Sequence, residues 1–139
     1  MSRAALAALL CACASAPAAR PPDESAAALT AEAQAAWSAL DPARAAALAE
    51  RALAAGGGTV AMEIAARAHL ALGRDEAALT ALARASSPHL RHLRARARLS
   101  TGDVTGAARD LEDDDDPWAR ELRDALRALG ARPPYRVRA

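Results

Sequence analysis

The feature that most constrains the fold is a repeated alternation of helix-forming segments and helix-ending residues. From residue 26 onward, alanine- and leucine-rich segments of about 11 to 14 residues alternate with short breaks, as expected for helices joined by tight turns. Three breaks contain a residue suited to capping a helix, followed by a proline, which the first helical turn tolerates because the missing N–H would be unpaired there. These pairs are Asp41-Pro42, Ser87-Pro88 and Asp116-Pro117.

Glycines lie where these helices are expected to end, because glycine readily adopts the left-handed backbone conformation found at helix C-termini. They are Gly56, Gly57, Gly58, Gly73, Gly102 and Gly130. The start and stop signals together predict seven helices, near residues 26–40, 42–55, 60–72, 75–85, 88–100, 104–112 and 117–129. Short turns make consecutive helices antiparallel, so we expect a row of helical hairpins.

Composition also favours an all-α fold and excludes several functions. Alanine, which has the highest helix propensity, is the commonest residue, and aromatic residues make up only 2% of the chain. The chain has no lysine, which excludes a Walker-type phosphate loop and Schiff-base chemistry. The formal net charge is +1, so we expect no binding to nucleic acid.

The first 13 residues have the layout of an export signal. A single charge at Arg3 precedes a short apolar run, which is too short to cross a bilayer and ends in small residues around two cysteines. The sequence Leu10-Cys11-Ala12-Cys13 resembles a bacterial lipobox, which would make Cys13 the lipidated first residue of the mature protein. Cleavage at an A-x-A site ending in Ala14 would instead release a soluble periplasmic protein. An uncleaved, disordered start is the third alternative.

The chain therefore divides into four segments. Residues 1–13 are the predicted signal, and residues 14–25, which contain three prolines and no helical period, are interpreted as a flexible tether. Residues 26–130 form the predicted helical domain, and residues 131–139 are predicted to be a disordered basic tail. Both cysteines lie in the signal, so disulfides and cysteine-ligated metals are excluded from the domain.

An internal repeat appears when successive hairpins are aligned. Ala45, Ala78 and Ala107 hold equivalent places, and a small side chain there would let the two helices of a hairpin approach closely. Gly73 and Gly102 lie at the corresponding turns of the second and third hairpins, whereas Leu40 takes this place in the first. Helix–turn–helix units that recur about every 34 residues are typical of tetratricopeptide repeats.

The segment from residue 71 to residue 78, with Leu82 and Ala85, closely resembles the tetratricopeptide pattern of a turn followed by a small residue at the helix crossing. The resemblance spans roughly residues 26–117. It implies a short tetratricopeptide-like α-solenoid of stacked helical hairpins, closed by a C-terminal capping helix.

Three arginines follow one side of the fifth predicted helix. Arg91, Arg94 and Arg98 fall within about 60° of arc, beside an apolar face that includes Leu90. In tetratricopeptide arrays the first helix of each hairpin lines the concave groove. The resemblance therefore implies that this stripe binds carboxylates, for example those of an acidic partner segment. An ordinary solvated face is the alternative interpretation.

Other polar or aromatic features have simpler interpretations. His89 and His92 could share a helix face, but no third zinc ligand follows at a recognisable spacing, so we interpret both as solvated. The acidic run at residues 112–116 lacks the ligand pattern of an EF-hand and is interpreted as a solvated turn. His69 is interpreted as a packed residue, and Trp118 as a core anchor of the capping helix.

The sequence thus predicts a protein without catalytic residues, cofactor or metal, which presents a surface to a protein or peptide partner. We expect it in the cell envelope, anchored to the membrane by lipid at Cys13, with a soluble periplasmic protein as the alternative. Two other functions stay open. One is a structural or assembly subunit that completes a larger helical array. The other, with less support, is a metal-dependent enzyme that uses His89, His92 and the acidic run.

Overall fold

The structure, a computed structural model, describes residues 25–130 and contains seven α-helices and no strand in that range. The all-α prediction is therefore confirmed for this part of the chain. The predicted signal with Cys13, nearly all of the tether and the tail lie outside the described residues. The helices are Ala26–Ser38 (α1), Pro42–Ala54 (α2), Thr59–Ala71 (α3), Asp75–Ala81 (α4), Pro88–Ser100 (α5), Val104–Asp110 (α6) and Pro117–Gly130 (α7).

The helix starts follow the capping chemistry of the sequence. The side chains of Asp41 and Ser87 accept hydrogen bonds from the backbone N–H three residues further on, at 3.0 and 3.4 Å, and each precedes a proline at the first helical position. Asp116 plays the same part for α7, where its carboxylate accepts the N–H groups of Trp118 and Ala119 at 2.9 and 3.4 Å. The first orphan N–H groups of these helices are thus satisfied locally, which explains why local sequence sets where the helices begin.

Four turns between helices share one backbone geometry. One of them, at Gly56, lies between the first two predicted hairpins, with a φ angle of 87° and a hydrogen bond of 2.7 Å from the N–H of Gly57 to the carbonyl of Ala52. The other three lie within the predicted hairpins. Leu40, Gly73 and Gly102 have φ angles of 59°, 67° and 84°. In each case the N–H of the next residue donates to the carbonyl five residues earlier, at 3.0, 2.9 and 2.8 Å. This hydrogen bond belongs to the Schellman helix end, which favours glycine at the left-handed position. Leu40 is therefore the strained member of the set, and its side chain is 89% exposed.

The alanines that follow these turns lie at helix contacts. Ala45, Ala78 and Ala107 are all 0% exposed, and each lies in the second helix of its hairpin. A larger side chain at these positions would have to push the paired helices apart, because interiors are close-packed.

The core is a series of three small clusters along the row of helices, centred on α1–α3, α3–α5 and α5–α7. Most buried residues are alanines, and each helix, or the residue that ends it, contributes one large buried aliphatic side chain. These are Leu29, Leu48, Ile64, Leu82, Leu90, Leu111 and Leu126. Successive helices contact one another, and α3 also contacts both α1 and α5. No helix within residues 25–130 has the length and apolar character needed to cross a membrane.

Replacing Leu40 by glycine is expected to stabilise the protein by about 1 kcal/mol, because glycine adopts positive φ without strain and the exposed leucine makes little contact. The melting temperature, followed by circular dichroism, should rise by about 4 °C. Gly73→Ala is the reciprocal variant and should lower it by a similar amount. Equal melting temperatures for Leu40→Gly and the parent chain would contradict the strain assigned to Leu40.

Candidate interaction surface

Two of the three arginines predicted to bind a partner surround a buried carboxylate inside the protein. Asp110 is 5% exposed, and its Oδ1 accepts hydrogen bonds from Nε and Nη2 of Arg94 at 2.9 and 2.7 Å. Arg98 Nη1 lies 3.0 Å from Asp110 Oδ2 and donates to the carbonyl of Gly106 at 2.8 Å. The two guanidinium groups therefore neutralise the buried charge of Asp110 and join α5 to α6.

The third arginine of the predicted stripe also has an internal contact. Arg91 Nη1 lies 3.4 Å from the carboxylate of Asp113, which follows α6. The side of α5 that carries Arg91, Arg94 and Arg98 thus faces α6 and its following turn. A role of these three residues in partner binding stays a prediction. The sequence analysis did not identify Asp110, an acidic residue among the small buried residues of α6, as the internal partner of these arginines.

The open side of α5 carries a different arginine, Arg96, which is exposed. Arg96 lies on the rim of an apolar groove of about 320 Å³ between α5 and α7. The groove is lined by His92, Leu93, Ala95, Arg96, Leu99, Leu111, Trp118 and Leu122. It is present because the backbones of α5 and α7 approach each other less closely than those of α1 and α3 or of α3 and α5.

Trp118 is 59% exposed at one end of this groove, so its predicted role as a core anchor is wrong. The ring packs edge-to-face on His92, with centroids 5.7 Å apart and planes at 72°. The reason lies in the rotation of α7, which buries Ala119 and Leu126 against α6 and turns Trp118 outward.

The outward apolar side of α7 forms a ridge beside the groove. We call it the α7 ridge, and it consists of Trp118, Leu122, Ala125 and Leu129. The spacing of four, three and four residues aligns these side chains along one stripe of a helix. Leu129 is 53% exposed and Leu122 is half-buried. The expected capping helix therefore does not close the end of the row with a polar face, as terminal repeats usually do.

The acidic run before α7 is more ordered than the predicted solvated turn. Asp114 is buried, accepts the N–H of Asp116 at 3.0 Å, and places Oδ2 2.6 Å from His92 Nε2. The hydrogen bond from the N–H of Asp116 is the main cause that holds the pKa of Asp114 below its ordinary value. The neighbouring side chains of His92 and Arg91 lower the pKa further, whereas desolvation raises it. Because the folded state favours the ionised carboxylate, Asp114 stabilises the fold above its ordinary pKa and loses this effect as the pH falls through the folded value. The interpretation as a solvated turn is wrong for this residue.

The three histidines have separate surroundings. His89 Nε2 lies 3.2 Å from Glu63 on α3, whereas His92 points to Asp114, so the two do not share a metal-binding face. His69 is 3% exposed, with Nε2 2.8 Å from Glu50, which fits its interpretation as a packed residue. Within residues 25–130, no three histidine, cysteine or acidic side chains are grouped so as to hold a metal ion.

Comparisons of the chain with protein-family models, with curated proteins and with solved structures give no match. These comparisons therefore add no support to the tetratricopeptide resemblance.

Replacing Asp110 by alanine is expected to lower the free energy of unfolding by about 2 to 3 kcal/mol, because the arginines lose their shared counterion in a partly buried place. Asp113→Ala is the matched control. Asp113 is 80% exposed and its contact with Arg91 is long, so its loss should cost less than about 0.5 kcal/mol. Urea unfolding followed by circular dichroism measures both variants, and equal effects would contradict the role assigned to Asp110.

Proposed function

We propose that the chain is a non-catalytic protein-interaction module of the bacterial cell envelope, built on a short tetratricopeptide-like array. The observation that carries the proposal is the apolar groove between α5 and α7, with Trp118 exposed at its end. Protein interfaces are often centred on a tryptophan or arginine beside a pocket, and this surface has both residue types.

Three features of the fold support the array. The turns at Leu40, Gly73 and Gly102 have the same geometry, and a buried alanine follows each at the same interval. The odd-numbered helices α1, α3 and α5 contact one another in sequence, as the first helices of stacked hairpins would.

The partner is expected to be a protein segment with an apolar side and at least one carboxylate. Leu93, Leu99 and Leu122 offer apolar contacts within the groove, and Arg96 lies on the rim. A guanidinium group binds a carboxylate through two parallel hydrogen bonds. The proposal thus keeps the acidic partner expected from the sequence and assigns its recognition to Arg96, because the other arginines of α5 contact carboxylates of this chain.

Photocrosslinking in the cells that produce the protein tests the surface. A photoreactive amino acid in place of Ala125, an exposed residue of the α7 ridge, should give a covalent adduct under ultraviolet light, detected by electrophoresis and mass spectrometry. The matched control carries the same group in place of Ala47, an exposed alanine on α2. An adduct at position 125 and none at position 47 is expected, with a lower yield when Trp118 is also replaced by alanine. Equal adducts at both positions, or none at either, would contradict the proposed surface.

Envelope anchoring rests on the lipobox-like sequence and has its own test. Cys13→Ala should abolish lipid attachment, measured by mass spectrometry and fatty-acid labelling, and should release the protein from the membrane fraction. Cys11→Ala, which changes the neighbouring cysteine, is the matched control and should leave attachment intact. Retained lipid in the Cys13→Ala chain would rule out Cys13 as the anchor.

A further inference from the structure

We propose that the partner bound at the groove between α5 and α7 is a second copy of this chain, so that the protein forms a two-fold symmetric dimer. This inference rests on the proposed role of the groove as the binding surface. Its support comes from two properties of the surface: the ridge lies beside the groove, and the charges are opposite on its two edges.

The surface carries a projection and a depression side by side. The α7 ridge projects with Trp118 exposed, and the groove of about 320 Å³ lies directly next to it, sharing Trp118 and Leu122. A two-fold interface brings the same patch of both subunits together, so the patch must complement itself. A two-fold axis that runs along the ridge–groove boundary places the ridge of each copy over the groove of the other.

The charged residues on the two edges match the same symmetry. Arg96 lies on the α5 rim, and Glu121 lies on the far side of the ridge, where it borders a second depression with Trp118, Leu122 and Ala125. Because α5 and α6 are antiparallel, as are α6 and α7, α5 and α7 run in the same direction. His92 contacts Trp118, and Arg96 follows His92 by four residues, while Glu121 follows Trp118 by three. Arg96 and Glu121 therefore lie at similar heights along the helices.

A two-fold axis parallel to the helices preserves height and exchanges the two edges. It brings Arg96 opposite Glu121 of the partner subunit, and the pair forms twice in the dimer. Within residues 25–130, neither side chain has a hydrogen bond or ion pair, so both charges are available to a second copy. Opposite charges at the rim set orientation and register more than affinity.

Within residues 25–130, no helix covers the ridge, whose residues Trp118 and Leu129 are more than half exposed. The ridge lies on a 14-residue helix, which is about 21 Å long. Because the proposed interface involves one helix and the groove beside it, we expect a small contact and therefore a reversible dimer.

Charge reversal tests the pairing directly by sedimentation equilibrium of the full chain under reducing conditions. Arg96→Glu and Glu121→Arg each create two repulsive pairs and should raise the dimer dissociation constant by about tenfold or more. An equimolar mixture of the two variants should dimerise like the parent chain, because every facing pair is again of opposite charge. Arg44→Glu is the matched control for the change in net charge and should leave dimerisation unchanged. Circular dichroism checks that each variant retains its helices.

Two outcomes would overturn this inference: a parent chain that stays monomeric at concentrations of about 100 µM, or a variant mixture that dimerises no better than either variant alone.

The crosslinking experiment distinguishes failure of the dimer proposal from failure of the proposed function. An adduct at position 125 with the mass of two chains supports both. An adduct with a different protein, together with a monomeric parent chain, contradicts the dimer proposal and still supports the proposed interaction module. A dimer in solution without any adduct in cells supports the dimer and contradicts the proposed function.

Discussion

Close approach of helices through alanine is the constraint on which the rest of this structure depends. Each helix, or its last turn, brings one large aliphatic side chain into the core, and alanines such as Ala45, Ala78 and Ala107 fill the crossings between helices. A buried alanine removes little apolar surface from water, so the stabilisation per contact is small. The chain gains stability by having each helix contact its neighbours along the row, in three small clusters instead of one deep core.

In such a row the last helix has fewer packing partners than the others, because each helix is stabilised by contacts with its neighbours. Within residues 25–130, α7 has α6 on one side and no further helix on the other, so Trp118 and Leu129 remain exposed. The same packing explains the groove, since α7 is held by α6 through Ala119 and Leu126 and does not close against α5. The exposed surface is thus a consequence of where the row stops within the described residues.

Local signals predicted much of this fold. Helix starts at Pro42, Pro88 and Pro117 follow from chemistry within a few residues, and the burial of the turn-following alanines agrees with their spacing. The candidate surface was harder to predict because it depends on contacts distant in sequence. On α5, Leu90, Leu93 and Ala97 form one apolar side and Ala95 and Leu99 form another, with polar residues between them. No single apolar stripe therefore identifies the outward side. The partner of Arg94 is sixteen residues away.

The arginines of α5 have two different environments on one helix: Arg94 and Arg98 bind a buried carboxylate, and Arg96 is exposed. Arg94 binds Asp110 with two nitrogens while its third donates to the carbonyls of Leu82 and Ala85, which follow the short helix α4. A lysine ammonium has no planar fork to reach these acceptors together. This network fixes α5 between α4 and α6, and a helix fixed on one side presents the opposite side in a constant orientation. Arg96 and the groove are therefore held in place by the ion pairs behind them, and such pre-organisation would lower the entropic cost of the proposed binding.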